Sequence, residues 1–205
     1  MAHRLFEPWV GENYEKVGLR DGQKLLLVGD SHYASDISDG RNTDLTNKVV
    51  HQMIDDGEWA FFKHVRMVAN GLEEPIEMKS FWHQVAFVNL LQETLPESSS
   101  IPSKKQIANG WLALRETVEE LKPDVMFIFS ARAWDQSGVE ADRIEEEASP
   151  FQPLKDLYGI GAFPRIHATQ LVAARFNHPR QPGCERSVWR AWAELAWQTA
   201  TSKQR

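Results

Sequence analysis

Short polar segments carry the residue types that catalysis uses, and each of them follows an apolar run. Gly29–Tyr33 contains a carboxylate, a hydroxyl and an imidazole in consecutive positions, and Asn89 follows Ala86–Val88. Ser130–Arg132 and Asn177–Arg180 follow two further apolar stretches. A carboxylate or an imidazole can move a proton, a serine hydroxyl can act as a nucleophile, and an asparagine amide offers one acceptor and two donors. These residue types are suited to acid–base or nucleophilic catalysis on a substrate that an amide holds.

The apolar runs that precede these segments predict buried strands, because they are short and are closed by glycine or polar residues. The predicted strands are Lys24–Val28, Val85–Leu91, Val125–Phe129 and Ile166–Ala174.

Helical spacing of apolar residues predicts helices between and after the strands. The clearest begins with a capping box, Ser103 followed by Gln106, and ends before Pro123. Three other helix faces are defined by Leu45, Val49 and Met53, by Trp59, Phe62, Val65, Ala69 and Leu72, and by the aromatic-rich series Val188, Trp189, Trp192, Ala193, Leu195 and Ala196.

Strands that alternate with helices predict right-handed crossovers and a parallel sheet with helices on both faces. We therefore expect an α/β fold, a three-layer α/β/α sandwich with a central, mostly parallel four-stranded sheet. The 205 residues suit one domain, residues 1–205. Ligand sites in such sheets lie beyond the carboxyl ends of the strands, where the polar segments fall.

Composition and charge narrow the classes of function. A single cysteine, Cys184, excludes an internal disulfide framework and a four-cysteine metal cluster. No apolar run approaches the roughly 18 residues that span a bilayer, so we expect a cytoplasmic protein without a membrane partner. The net charge is −6, but residues 165–205 hold seven basic and two acidic side chains. This basic end could face phosphates, or it could be an ordinary solvated helix face.

Four segments, in their order along the chain, resemble the motifs of the uracil-DNA glycosylase superfamily. Gly29–Tyr33 is similar to the family's Gly-led loop after the first strand, and Phe87–Asn89 to the strand that ends in a base-reading asparagine. Lys122–Trp134 resembles the third strand, which follows a proline. Asn177–Arg180, ahead of a helix rich in tryptophan, resembles the closing His-Pro-Ser loop. The resemblance covers about residues 24–198.

The resemblance implies a DNA glycosylase, which hydrolyses the N-glycosidic bond of a flipped-out uracil or modified pyrimidine and leaves an abasic site. In that reaction Asn89 reads the edge of the base, and Phe87 or Tyr33 supplies a stacking face. His178 stabilises the oxygen of the departing base. Asp30 orients a water molecule or stabilises the cationic sugar.

The remaining residues that the resemblance assigns complete the pocket and contact DNA. Gly29 and His32 belong to the base pocket, and Arg175, Asn177, Arg180 and Arg186 lie near phosphates. No cofactor or metal is implied. The implied partner is DNA, single-stranded or with a damaged or modified base. A monomer active in DNA repair, or against viral DNA with altered bases, would suit such a protein.

The sequence departs from the family pattern at several positions. Ser31 stands where the G-Q-D-P-Y form of the first motif has its aspartate, and Asp30 stands where the G-E-x-P-G form has its glutamate. His32 replaces a proline and Arg180 replaces a serine. The absence of a cysteine quartet excludes the iron–sulfur branch. These changes indicate a different base or a pocket that is no longer catalytic.

Two other classes of function remain open. Gly29-Asp30-Ser31 after a strand is also similar to GDS-type esterases, with Ser31 as nucleophile, His178 as base, and Asn89 or backbone amides in the oxyanion hole. Arg175 stands where those enzymes have an aspartate, three residues before the histidine. The third class is a module that binds a base or nucleotide without cleaving it.

Structural roles compete with each of these assignments. Asp30 or Ser31 could cap a helix, and His32 could bond a backbone carbonyl. Trp134, Trp189 and Trp192 are more typical of core residues than of residues that wedge into DNA.

Overall fold

The computed structural model describes residues 3–33, 43–130, 160–163, 171–176 and 185–203. Within these ranges six strands form one sheet, in the order β1-β3-β2-β4-β6-β5. The strands are β1 (Trp9–Val10), β2 (Leu25–Gly29), β3 (Ala86–Asn89), β4 (Val125–Ile128), β5 (Ile160–Phe163) and β6 (Leu171–Arg175).

The four central strands, β3, β2, β4 and β6, are parallel, and the edge strands β1 and β5 are antiparallel to their neighbours. Leu27 of β2 is level with Phe87 of β3 and with Phe127 of β4. The prediction of an α/β fold with a mostly parallel sheet is therefore confirmed. The four predicted strands form the centre of this sheet, which has two more strands than expected. The predicted fourth strand begins at Leu171, and residues 164–170 lie outside the described ranges.

Five helices accompany the sheet in the described part of the chain. They are α1 (Leu45–Asp56), α2 (Ala60–Ala69), α3 (Met78–Gln84), α4 (Lys104–Leu121) and α5 (Arg186–Lys203). The capping box of α4 is confirmed, because the Ser103 hydroxyl accepts from the Gln106 N–H at 3.2 Å and the Gln106 side chain accepts from the Ser103 N–H at 2.8 Å. Within those ranges no helix is both long and apolar enough to cross a membrane.

Helices cover both faces of the sheet, because the strand residues are apolar on both sides. Leu25 and Leu27 of β2 pack into a cluster with α1, α2, α3 and α5, whereas Leu26 and Val28 pack against α4 on the opposite face. This alternation follows from the two-residue period of a strand. A strand in a parallel sheet that is buried on both faces has an unbroken run of apolar residues, as β2 does.

Three tryptophans attach α5 to the core. Trp189, Trp192 and Trp197 are each at most 1% exposed, and the indole N–H of Trp197 donates to the Ala69 carbonyl at the end of α2 at 2.8 Å. The prediction that Trp189 and Trp192 fill the core is confirmed. Trp134 lies outside the described residues.

Candidate functional site

The carboxyl ends of the four parallel strands meet at one edge of the sheet, and the predicted polar residues follow them there. The main chain directly beyond the strands continues their hydrogen bonding. The Leu90 N–H donates to the Gly29 carbonyl at 3.0 Å, and the Phe129 N–H donates to the Val28 carbonyl at 2.9 Å. The structure therefore brings the loop after Gly29, Asn89 and Ser130 together at the start of three adjacent loops.

Gly29 and Asn89 are paired across β2 and β3, and the asparagine occupies the space that a side chain at position 29 would need. A Cβ atom at Gly29 would lie 2.2 Å from Asn89 Oδ1 and 3.1 Å from Phe87 Cζ. Glycine at the end of β2 thus has a steric reason here, since it lets the amide lie directly against the neighbouring main chain.

Asn89 is almost buried, yet its side-chain amide makes no hydrogen bond to any residue that the structure describes. The residue is 7% exposed, and no other described residue hydrogen-bonds its side-chain amide. Buried side-chain amides are as a rule hydrogen-bonded. An amide held at the carboxyl edge without such a bond can give its donors and its acceptor to a ligand.

Gln92 holds the main chain of Asn89 in place. Its Oε1 accepts from the N–H groups of Leu5 and Phe6 at 2.8 and 3.0 Å, and its Nε2 donates to the Asn89 carbonyl at 3.1 Å. The sequence indicated a polar segment here but not this role, which depends on an N-terminal segment far away in the chain.

Asp30 is held by hydroxyl groups from two loops. Its Oδ1 accepts from Ser130 Oγ at 2.7 Å, and its Oδ2 accepts from Ser31 Oγ at 3.1 Å. Asp30 is partly buried, and Ser130 is 4% exposed. The carboxylate therefore lies on the β4 side of Gly29, whereas the Asn89 amide lies on its β3 side.

His32 points into the protein interior. It is 2% exposed, its Nε2 lies 3.0 Å from the Thr46 hydroxyl in α1, and its ring meets that of Phe6 edge-on at 5.2 Å. The predicted contact of His32 with a substrate stays a prediction. Its burial and its bond to the Thr46 hydroxyl favour the structural role.

The aromatic residues near the edge differ in exposure. Phe87 is 1% exposed and contacts the rings of Phe62 and Trp82 edge-on, so its surroundings are those of a core residue. Tyr33 is partly buried against the α4 side of the core. Phe61 of α2 is also partly buried, and its ring lies 6.1 Å from that of Phe129, which directly follows β4.

Sequence analysis missed Phe61 because the helical spacing assigned the inward face of α2 to its neighbour Phe62, which is 6% exposed. The signal available was the pair of adjacent phenylalanines, since two large rings in succession on a helix must point to different surroundings.

Two of the four residues that were predicted to contact phosphates lie within the described part of the chain. Arg175 ends β6 and is partly buried, and Arg186 is exposed in the first turn of α5. Asn177, His178 and Arg180 lie outside the described residues, as do Arg132 and Cys184. No model of a known protein family matches the chain, and no curated protein matches it either.

An ion pair lies near the start of β2, at the end of the sheet opposite to the candidate site. Arg20 donates to both carboxylate oxygens of Glu194 in α5, at 2.5 and 3.0 Å, and lies beside a shallow groove of about 520 Å³. These bonds from Arg20, together with the Leu72 N–H, lower the pKa of Glu194 below its ordinary value. The groove is lined by one basic and two acidic side chains, Arg20, Asp21 and Glu194, and none of the predicted site residues lines it.

Proposed function

We propose that the chain is a divergent DNA glycosylase, which takes a flipped-out uracil or modified pyrimidine at the carboxyl edge of the sheet and hydrolyses its N-glycosidic bond. The observation that carries this proposal is the Asn89 amide, which belongs to a residue only 7% exposed, lies beside Gly29 and makes no hydrogen bond within the described residues. A pyrimidine edge presents carbonyl and N–H or amino groups in one plane, and an amide side chain can match both.

Each remaining part of the site has a role in this reaction. Phe61 stacks on the base, in place of the more deeply buried Phe87. As the bond between the base and the sugar breaks, its electron pair leaves with the base, and positive charge builds on the sugar. Asp30 stabilises that charge and orients the attacking water. The water oxygen then bonds to the sugar carbon as one of its protons passes to Asp30, and the departed base anion takes up a proton from solvent. His178 stabilises the departing base, as the family resemblance implies.

The uracil-DNA glycosylase type of fold belongs to the same proposal. Its support is the position of two motifs on neighbouring parallel strands, with the Gly-led loop after β2 and the asparagine at the end of β3. The same order of motifs was the basis of the resemblance in sequence. Two antiparallel edge strands extend the sheet beyond its four parallel strands without changing that position.

DNA that is single-stranded, or that carries a mispaired base, is the expected partner, because turning out such a base saves part of the few kcal/mol that flipping costs. Arg175 and Arg186 supply positive charge near the strand ends. We propose that the enzyme acts as a cytoplasmic monomer, without a cofactor, in repair or against DNA with altered bases.

The test is abasic-site formation. We would incubate the protein with labelled DNA that carries uracil, hydroxymethylcytosine or glucosylated hydroxymethylcytosine, and reveal abasic sites by alkaline cleavage. We expect cleavage at one of these bases, and a loss of about 100-fold or more in Asn89→Ala, since a site built to hydrogen-bond its substrate depends strongly on that bond. Asn109→Ala, in α4, is the matched control and keeps the activity.

The bond between Ser31 and Asp30 favours a second candidate, a GDS-type esterase, because it places a proton acceptor beside a possible nucleophile. If no abasic sites form and a short-chain ester is hydrolysed by the wild type but not by Ser31→Ala, the esterase takes first place. Salt-dependent DNA binding without turnover of DNA or ester would instead indicate a binding module.

A further inference from the structure

We propose that Ser130 is a positioning residue, whose hydroxyl fixes the orientation of the Asp30 carboxylate between the loops after β2 and β4. Its catalytic consequence rests on the proposed function, but the orientation itself does not. Ser130 belongs to a polar segment that the sequence singled out, and neither the glycosylase nor the esterase assignment gave it a role.

The geometry of the bond is the first argument. Ser130 Oγ lies 2.7 Å from Asp30 Oδ1, a normal length for a hydroxyl that donates to oxygen, whereas Ser31 Oγ is 3.1 Å from Oδ2. The bond from Ser130 is thus the shorter of the two. Each carboxylate oxygen can accept more than one hydrogen bond, so the two hydroxyl groups can bond different oxygens of Asp30 at the same time.

The rigidity of Ser130 is the second argument. It is 4% exposed and directly follows Phe129, whose N–H donates to Val28 at 2.9 Å and whose ring stacks on that of Phe176 at 4.9 Å. The donor is therefore carried by the end of a central strand. Asp30, by contrast, begins a loop, and the terminal torsion of its carboxylate is intrinsically broad.

A purely structural role for this bond is weak, because other contacts already join the two loops. The parallel ladder pairs Val28 with Ile128, and the Phe129 N–H extends it by one bond. What the Ser130 hydroxyl adds is a fixed direction for the Asp30 carboxylate. Catalytic groups need such support from neighbouring side chains to be held within about 0.5 Å of a productive geometry.

The experiment compares Ser130→Ala with Ser130→Thr, which keeps the hydroxyl. Thr117→Val removes a buried hydroxyl that bonds the Ala113 carbonyl within α4, and it is the matched control. On the DNA that the wild type cleaves, we expect kcat of Ser130→Ala to fall by about 10-fold at unchanged KM, since orientation acts on the chemical step. Ser130→Thr and Thr117→Val keep kcat.

A second measurement does not depend on activity. The carboxyl carbon resonance of Asp30 is followed by NMR as the pH is lowered. In Ser130→Ala we expect the midpoint of this titration to rise by about one pH unit relative to the wild type and Thr117→Val, because a donor to the ionised form is lost. Ser130→Cys, of similar size but a weak donor, shifts it in the same direction and serves should the alanine variant not fold.

An unchanged titration midpoint in Ser130→Ala or Ser130→Cys would overturn the proposal, whatever the activity. An equal loss of kcat in Ser130→Thr and Ser130→Ala, with both variants folded, would also overturn it, because the hydroxyl would then not be the cause. If the wild type forms no abasic sites, the proposed glycosylase fails, and the titration alone decides whether Ser130 orients Asp30.

Discussion

A glycine and an asparagine from neighbouring strands share one space at the carboxyl edge of the sheet. The Asn89 amide can lie there only because position 29 has no side chain, since a Cβ atom would meet Oδ1 at 2.2 Å. The same pairing explains why the chain ends an unbroken apolar strand with glycine. The position of the Asn89 amide therefore depends on the absence of a side chain at Gly29.

Gly29→Ala should displace the Asn89 side chain and abolish its contact with a ligand, at a cost of about 1–3 kcal/mol in the free energy of unfolding. Urea unfolding of the two single variants and of the double variant Gly29→Ala/Asn89→Ala measures how far their effects on the free energy of unfolding depart from additivity. Because Asn89→Ala removes the clashing atom, the double variant should be more stable than the sum of the single effects predicts. Strict additivity would contradict the shared space.

At the scale of single residues, the sequence predicted the position of those residues that directly follow or end a strand. Gly29, Asp30 and Asn89 could be placed at the edge of the sheet because the strands before them are clear apolar runs. The partners of these side chains could not be predicted. Ser130 reaches Asp30, and Gln92 reaches Leu5 and Phe6, only through the order of strands in the sheet and the path of the N-terminal segment.

At the scale of the elements, a partly buried ion pair joins α5 to the turn before β2. The side chains of Arg20 and Glu194 are 16% and 12% exposed, and Gln198 and the Leu72 N–H also donate to the carboxylate. Because Arg20 and these donors favour the ionised form, the pKa of Glu194 in the folded protein lies below its value of about 4.5 in an unfolded chain.

This shift predicts a pH dependence of stability. The contribution of Glu194 is fully present above about pH 4.5 and is lost as the pH falls through its lower pKa in the folded protein. Glu194→Gln should lower the free energy of unfolding by about 1–3 kcal/mol at pH 7. The difference from the wild type should narrow as the pH is lowered from 5 to about 3, in urea titrations at each pH. Glu97→Gln, in an exposed loop, is the control. A difference in the free energy of unfolding between Glu194→Gln and the wild type that does not change with pH would contradict the lowered pKa of Glu194.

The elements that the sequence predicted are those with a clear apolar run, an apolar spacing or a cap. The four parallel strands and four of the five described helices were recognised from these signals. β1 has only two residues and β5 contains a glycine, so neither forms an apolar run like those of the parallel strands. α3 spans seven residues, two turns at most, and its apolar positions do not define a stripe.

At the scale of the whole molecule, charge and topology act together. The net charge is −6, so the proposed binding of DNA requires local basic residues rather than the protein's overall field. The first half of α5 lies at the carboxyl edge, because Trp189 contacts the rings of Phe129 and Phe176, which directly follow β4 and β6. The helix therefore begins near this edge, and Arg186 is exposed in its first turn.

Arg186→Gln should weaken DNA binding to a similar extent for every sequence, because a phosphate contact carries no base information. The slope of log K against log salt concentration should fall by about 1, the value of one neutralised phosphate. Fluorescence anisotropy with labelled single strands at several salt concentrations measures both quantities. Arg115→Gln removes an exposed arginine from α4, on the opposite face of the sheet, without a change in slope. Equal slopes for Arg186→Gln and the wild type would place the DNA path away from the start of α5.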